Sequence, residues 1–346
     1  MNATSSTSHV GIDVAKNVFQ LYWVDPDSGE IHNVRVKRGK FLEHFANRAE
    51  CCVGMEACGG AQHWARELIR LGHQVKLLPG KAVKGFVTGN KSDAIDARAI
   101  WMALRCPDIK PVAVKTEGQQ AVLALHRMRQ QLVKVRTMQI NELRGLLTEY
   151  GEVFGLGRAP LARGIAQALE RLAARLPQVV IDSLLEQWQR VADLDAQVAR
   201  IEARLRELFQ ADRAAQRIAQ IPGVGLLTST AVSAAMGQAS AFRSGREFAA
   251  WLGLVPAHTG TGGHTRMQGL SKRGDTYLRT LLIHGARSAY THGKQPNAWQ
   301  QELAKRRPVN VVIVAMANKM ARTIWALLRY DRPYQAGWTS TAPLAH

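Results

Sequence analysis

The chain has 346 residues, 46% of them apolar and 21% charged, which suits two or three folded domains and argues against general disorder. Lys and Arg outnumber Asp and Glu by 46 to 27, a formal charge of +19, and this excess requires a polyanionic partner, with nucleic acid the natural candidate. No stretch approaches the long uncharged apolar run of a membrane span, residues 1–8 hold no apolar signal core, and Cys51, Cys52, Cys58 and Cys106 show no paired CxxC spacing. The expectations are a cytoplasmic protein with no membrane partner, and buried thiols in place of a zinc site or disulfide framework.

In chain order, residues 9–13 predict a short strand ending on Asp13, and 18–24 and 30–37 continue it as a meander. A helix over 41–48 precedes a second buried strand at 51–55, which again ends on a carboxylate, Glu56. After Gly59 and Gly60 come a helix over 61–71, a strand over 73–78 and the basic stretch 81–91. Strands alternating with helices predict an α/β layer fold with a central sheet.

Next, Asn90-Lys91-Ser92-Asp93-Ala94-Ile95-Asp96-Ala97-Arg98 sets two carboxylates three residues apart on one helix face, where like charges repel. A divalent cation would remove that repulsion. In open α/β sheets the carboxyl ends of strands face the ligand crevice, which is where Asp13 and Glu56 fall. Asp13, Glu56, Asp93 and Asp96 are therefore candidate ligands for one or two Mg²⁺ ions, or for Mn²⁺. Turn residues and a solvated helix face would show the same letters singly; four such positions in one domain favour the metal.

Residues 117–150 form a long helical pattern carrying Arg127, Arg129, Lys134 and Arg136, with few acidic residues of its own to balance them. After a Gly-rich break at 151–157, Leu184, Val191, Leu194, Val198, Ile201, Leu205 and Leu208 follow a heptad seam. A coiled-coil arm is expected, folded back within one chain or paired between chains. Ile221-Pro222-Gly223-Val224-Gly225 before a helical run resembles a helix-hairpin-helix turn that offers backbone N–H groups to phosphate, although a plain capping turn has the same glycines. A hydroxyl-rich loop, 256–264, leads to Ser271-Lys272-Arg273-Gly274-Asp275 and a basic helix through Arg279. The last helix, 309–329, is interrupted by Asn318, Lys319 and Arg322 and reads as amphipathic and packed. Nucleic-acid contacts are expected at Lys91, Arg98, Arg127, Arg129, Arg136, Gly223, Gly225, Arg266, Lys272, Arg273 and Arg279.

Gly11-Ile12-Asp13-Val14-Ala15-Lys16, Glu56 followed by Gly59, Lys91-Ser92-Asp93-Ala94-Ile95-Asp96-Ala97-Arg98, Ile221-Pro222-Gly223-Val224-Gly225 and Ser271-Lys272-Arg273-Gly274-Asp275 together resemble the landmarks of the DEDD insertion-sequence transposases, family one-ten, especially its eleven-eleven subgroup. Each motif is weak alone; their order and spacing are specific and cover nearly the whole chain. The resemblance implies a RuvC-like (ribonuclease-H-like) domain at 1–115, a helical coiled-coil region at 116–212 and a mainly α C-terminal transposase domain at 213–346. It also implies Mg²⁺ held by Asp13, Glu56, Asp93 and Asp96, and a dimer or tetramer in which a structured bridge or seeker RNA pairs with donor and target DNA. A C-terminal serine in that family attacks the DNA to form a covalent intermediate, and strand exchange follows. Here the sequence departs from the pattern. The place of the serine reads Gly260-Thr261-Gly262-Gly263, so Thr261 aligns best, with Thr259 and Ser271 as competitors and an inactive copy as a third account.

The competing function is a hydrolytic RuvC-like nuclease or Holliday-junction resolvase, in which the same carboxylates activate water. An actin-like ATPase shares the Gly-Ile-Asp strand but would need a second Gly-rich phosphate turn, which is not found. An architectural nucleic-acid binder would have no use for the carboxylate set.

Overall fold

A computed structural model describes residues 8–90, 92–261, 264–293, 296 and 298–336, the side chain of Thr265 excepted. The chain folds as two compact units, Met1–Gly118 with Met236–Ala241, and Gln119–Ala235 with Phe242–His346. The stretches read from sequence as a helical middle and a C-terminal domain both fall mainly in the second.

Five strands carry the first unit: β1 (Ser8–Asp13), β2 (Val18–Val24), β3 (Ile31–Lys37), β4 (Cys51–Glu56) and β5 (Gln74–Leu78). Their order is β3-β2-β1-β4-β5, with β2 antiparallel to its neighbours and β4 parallel to both of its own. Short turns suffice for the antiparallel meander, whereas the parallel strands need crossovers. α1 (Phe41–Ala46) leads into β4 and α2 (Ala61–Arg70) links β4 to β5. Phe41, Phe45, Trp64 and Leu68 of these helices bury against Val10, Phe19 and Val53; Phe19 meets Phe41 edge-on with ring centroids 4.6 Å apart. Ile100 and Leu104 of a later helix form a separate core with Cys52, Leu78 and Val83.

That later helix, α4 (Asp93–Leu104), follows the short α3 (Gly80–Val83). It lies unusually close to β1. A Cβ added at Gly11 would stand 2.4 Å from the Ala97 carbonyl oxygen and 2.5 Å from the Trp101 amide nitrogen. Gly54, the parallel partner of Gly11, gives the same relief to Leu104, whose side chain would be 3.1 Å from a Cβ there. Two glycines side by side thus let the helix press onto the sheet and fix where its first turn lies.

Among its described residues the second unit is helical apart from one hairpin. α5 (Glu117–Glu149), α6 (Arg158–Ala173) and α7 (Gln178–Ala211) share a core of Ile140, Leu143, Leu161, Ile165, Leu184 and Val191, among others. The seam of α7 therefore closes within the chain: Leu184, Val191, Leu194, Val198, Ile201 and Leu205 are buried, while Leu208 is 41% exposed. Arg129 with Glu202 and Arg136 with Asp195 tie the two long helices together in antiparallel register. α8 (Arg213–Ile218), α9 (Leu226–Met236) and α10 (Gly245–Trp251) precede the hairpin of β6 (Pro256–Thr261) and β7 (His264–Leu270). α11 (Thr276–His292), α12 (Ala298–Ala304) and α13 (Val309–Arg329) complete the unit. Among the described residues α13 alone has the length and apolar content to cross a membrane, yet Val312, Ile313, Met316, Met320 and Ile324 are buried in the protein. The helix packs on α10 and α11.

Two expectations are corrected here. Cys51 and Cys52 are buried, but Cys58 is exposed and Cys106 is half-buried. Of the stretch read as a loop, residues 256–261 and 264 are paired strand, because their backbone groups bond across the hairpin even though neither face is covered.

Candidate active site

Asp13 and Glu56 are the last residues of β1 and β4. Those strands are parallel neighbours, so both carboxylates leave the same edge of the sheet. Asp93 and Asp96 form the first turn of α4, whose N-cap Ser92 accepts from the Ile95 amide at 3.4 Å. At the positive end of a helix, carboxylates are favoured by the backbone dipoles, which offsets part of the repulsion between them. With β1 and α4 held together at Gly11, all four carboxylates line one cavity of about 320 Å³, alongside Val83, Lys84, Val87, Ile100.

Small details shape this cavity. A Cβ at Gly80 would stand 2.4 Å from Glu56 Oε1, so the glycine leaves room for that carboxylate. Burial, then the charges of Glu56 and Asp13, push the Cys58 thiol up from its ordinary value. Four carboxylates form the all-oxygen donor set that hard divalent cations prefer. As placed, among the described residues, no three such groups stand close enough to enclose one ion; a cation would have to draw the cavity walls inward. Lys84 was not singled out from sequence, because its cavity position depends on the turn after β5, which carries no motif.

The basic residues divide into two groups. Arg98, Arg127, Arg266, Lys272 and Arg273 are exposed, as is Gly225. Arg129 and Arg136 are partly buried and spend their guanidinium groups on Glu202 at 2.6 Å and Asp195 at 2.6 Å. The missing counter-charges on α5 thus come from α7, and these two arginines join helices in place of the phosphate contact expected. Arg279 is corrected too. It is 7% exposed, donating to the Leu252 carbonyl at 3.2 Å, the Arg273 carbonyl at 3.4 Å and Thr276 Oγ1 at 3.1 Å. It clamps the two roots of the hairpin. Gly223, at φ 86°, lies against Gly285; a Cβ there would be 2.3 Å from the Gly285 carbonyl oxygen. Its glycine is needed for that close approach to α11. Lys91 lies outside the described residues.

Of the three hydroxyls, Thr261 is exposed at the end of β6. Thr259 is exposed and accepts from Gln268 Nε2 at 3.1 Å. Ser271 has its Oγ buried without a hydrogen-bond partner, while its amide donates to the Val255 carbonyl at 2.9 Å.

Comparison with known proteins sets this geometry in a family. Residues 10–152 match the DEDD transposase model of the IS110 type, and residues 215–301 match the transposase IS116/IS110/IS902 family. A probable family 20 transposase of Pseudomonas aeruginosa is 43% identical over 95% of this chain and 99% of its own length. The transposase for insertion sequence element IS1111A of Coxiella burnetii is 39% identical, over 95% of this chain and 91% of its own. That for IS1328 of Yersinia enterocolitica is 36% identical, over 92% and 96%. With identities of this size over nearly the full length, the chain belongs to the IS110 family of DEDD insertion-sequence transposases, enzymes that use a divalent metal and act on DNA.

Proposed function

We propose that Asp13, Glu56, Asp93 and Asp96 hold Mg²⁺, which Mn²⁺ can replace, against a DNA phosphodiester, and that Thr261 attacks the phosphorus. One bond forms, from Thr261 Oγ1 to phosphorus, and one breaks, from phosphorus to the oxygen of the departing strand end. The covalent ester keeps the energy of the phosphodiester, so a second strand end can displace the threonine and complete the exchange. The ion supplies Lewis-acid stabilisation of the phosphate oxygens. The observation that carries this reading is the lining of one cavity by all four carboxylates.

The sheet order, antiparallel β1 to β3 followed by parallel β4 and β5, supports a RuvC-like reading of the first unit. Exposure supports Thr261 over Ser271 as the nucleophile. Arg98, Arg127, Arg266, Lys272 and Arg273 would meet phosphates, within a dimer or tetramer whose DNA partners are chosen by pairing with a structured guide RNA. Such a protein works in the cytoplasm, on the nucleoid when bound to DNA. The test is strand cleavage of DNA bearing an end of the element. It should require Mg²⁺, stop with a chelator and be lost in Asp93→Asn and Asp96→Asn with DNA binding retained. RNA extracted from the purified protein should be one discrete species. Cleavage by Asp93→Asn at the parent rate would overturn the metal assignment, and free, adduct-less ends in every cleaved product would favour the hydrolytic nuclease.

A further inference from the structure

The β6–β7 register pairs Thr261 directly with His264 and Thr259 directly with Arg266. Opposed residues of an antiparallel pair leave the same face, with Cβ atoms about 4.5–5.5 Å apart. Alternation along each strand places residues 259 and 261, and 264 and 266, on that one face. The hydrogen bond from Gln268, two residues past Arg266, to Thr259 Oγ1 is the expected consequence. One face of the ribbon thus presents Thr259, Thr261, His264 and Arg266, each of them exposed.

The chemistry of that face is selective. Residues 256–274 contain no Asp or Glu, so His264 has no acidic competitor along the segment. The other titratable or cationic groups there are His258, paired with Met267 on the opposite face, and Lys272 and Arg273 at the root. A threonine hydroxyl attacks slowly unless its proton is accepted as the new bond forms. An imidazole, whose charge changes at about pH 6.5, is the side chain suited to accept it and give it back near neutral pH.

Resting on the assignment of Thr261 as nucleophile, we infer that His264 is a catalytic residue of this transposase, the base that takes the Thr261 proton. Neutral His264 accepts the proton as the Oγ1–P bond forms, and the departing strand-end oxygen leaves as a hydroxyl after taking a proton from water. In the second step an incoming strand-end hydroxyl attacks the phosphothreonine and loses its proton to water; the Oγ1–P bond breaks, and the imidazolium returns its proton to Oγ1. Arg266, next on the same face, is placed to neutralise a non-bridging phosphate oxygen.

The experiment measures the rate of covalent adduct formation between the full chain, with its accompanying RNA, and a suicide DNA substrate, from pH 5 to pH 8.5. The unmodified protein should show a rate that rises with pH and then levels. His264→Ala should lower that rate by about a hundred- to ten-thousandfold and abolish the rise, with melting temperature and DNA affinity little changed because the residue is exposed. Added imidazole should restore it in proportion to concentration. An unchanged rate in His264→Ala, full activity in His264→Arg, or a slowed rate that keeps its pH rise and ignores imidazole would each overturn the inference. Thr261→Ala is assayed beside it. Adduct persisting there overturns the nucleophile assignment and this inference together, whereas adduct lost there but undiminished in His264→Ala overturns the inference alone.

Discussion

Gly11 of β1 and Trp101 of α4 touch through their backbones, with only hydrogen at Gly11 between them: a Cβ at position 11 would stand 2.5 Å from the Trp101 nitrogen. This contact seats the helix that carries Asp93 and Asp96 beside the strand that carries Asp13. Gly11→Ala should therefore push α4 outward, cost about 1–3 kcal/mol as overpacking does, and weaken Mn²⁺ binding in the same variant. Thermal melting and metal titration would check it; unchanged values for both would show that α4 can give way without disturbing the site.

Gly80 offers a more local perturbation. Its absent side chain leaves space for Glu56 Oε1, which would lie 2.4 Å from a Cβ. Gly80→Ala should displace that one carboxylate, lowering Mn²⁺ affinity and cleavage rate with little change in melting temperature. Metal titration by calorimetry reads the first and a gel assay the second.

Buried and exposed arginines should behave differently toward salt. Lys272 and Arg273 are exposed, whereas Arg279 is enclosed by the Leu252 and Arg273 carbonyls and Thr276. Replacing Lys272 or Arg273 with Gln should reduce the slope of log affinity against log salt by about 1 each. Arg279→Met should leave the slope alone and lower the melting temperature, since it strands buried carbonyls at about 1–3 kcal/mol apiece. Binding measured from low to moderate salt, alongside thermal melts, separates the two classes.

His126 makes a pH prediction. Its Nδ1 lies 2.9 Å from the Tyr277 hydroxyl and its Nε2 2.9 Å from Thr230 Oγ1. Thr230 donates to the Leu226 carbonyl at 2.7 Å, so it accepts from Nε2–H, and Nδ1 accepts from Tyr277. Every partner is satisfied with the ring neutral. Burial first, and Arg129 second, lower its pKa from 6.5 to about 4. The unfolded chain therefore binds more protons between those values, and stability is lost as pH falls from about 6.5 towards 4, by roughly 2 kcal/mol between pH 7 and pH 5. A histidine ring resonance that stays neutral down to about pH 5, and disappears in His126→Gln, would confirm the assignment; titration near 6.5 would contradict it.

The first unit could be read closely from sequence because its elements carry strong local signals. β2 falls at Val18–Val24 as expected, and β1 and β4 do end at Asp13 and Glu56, since buried strands are continuous apolar runs broken by a polar end. The spacing of Asp93 and Asp96 placed both on α4. What placed that helix against β1 was less apparent, because a glycine needed for close approach has the same letter as one needed for a turn. Gly11 and Gly80 show their roles only with neighbours in position. The β6–β7 hairpin had no alternation to find, as neither face is buried. The partners of Arg129 and Arg136 are carboxylates 73 and 59 residues away along the chain, which a charge count over one helix omits, and Arg279 is held largely by the Leu252 and Arg273 carbonyls, which no charge count includes.

The most direct test of the central claim is to identify the amino acid joined to DNA. After reaction of the full chain with a suicide substrate in Mg²⁺, the adduct is digested and its modified peptide mapped by mass spectrometry. A phosphodiester on Thr261, formed only when Asp13, Glu56, Asp93 and Asp96 are intact, is the result expected. Efficient strand cleavage with no adduct, or an adduct on Thr259 or Ser271, would contradict it.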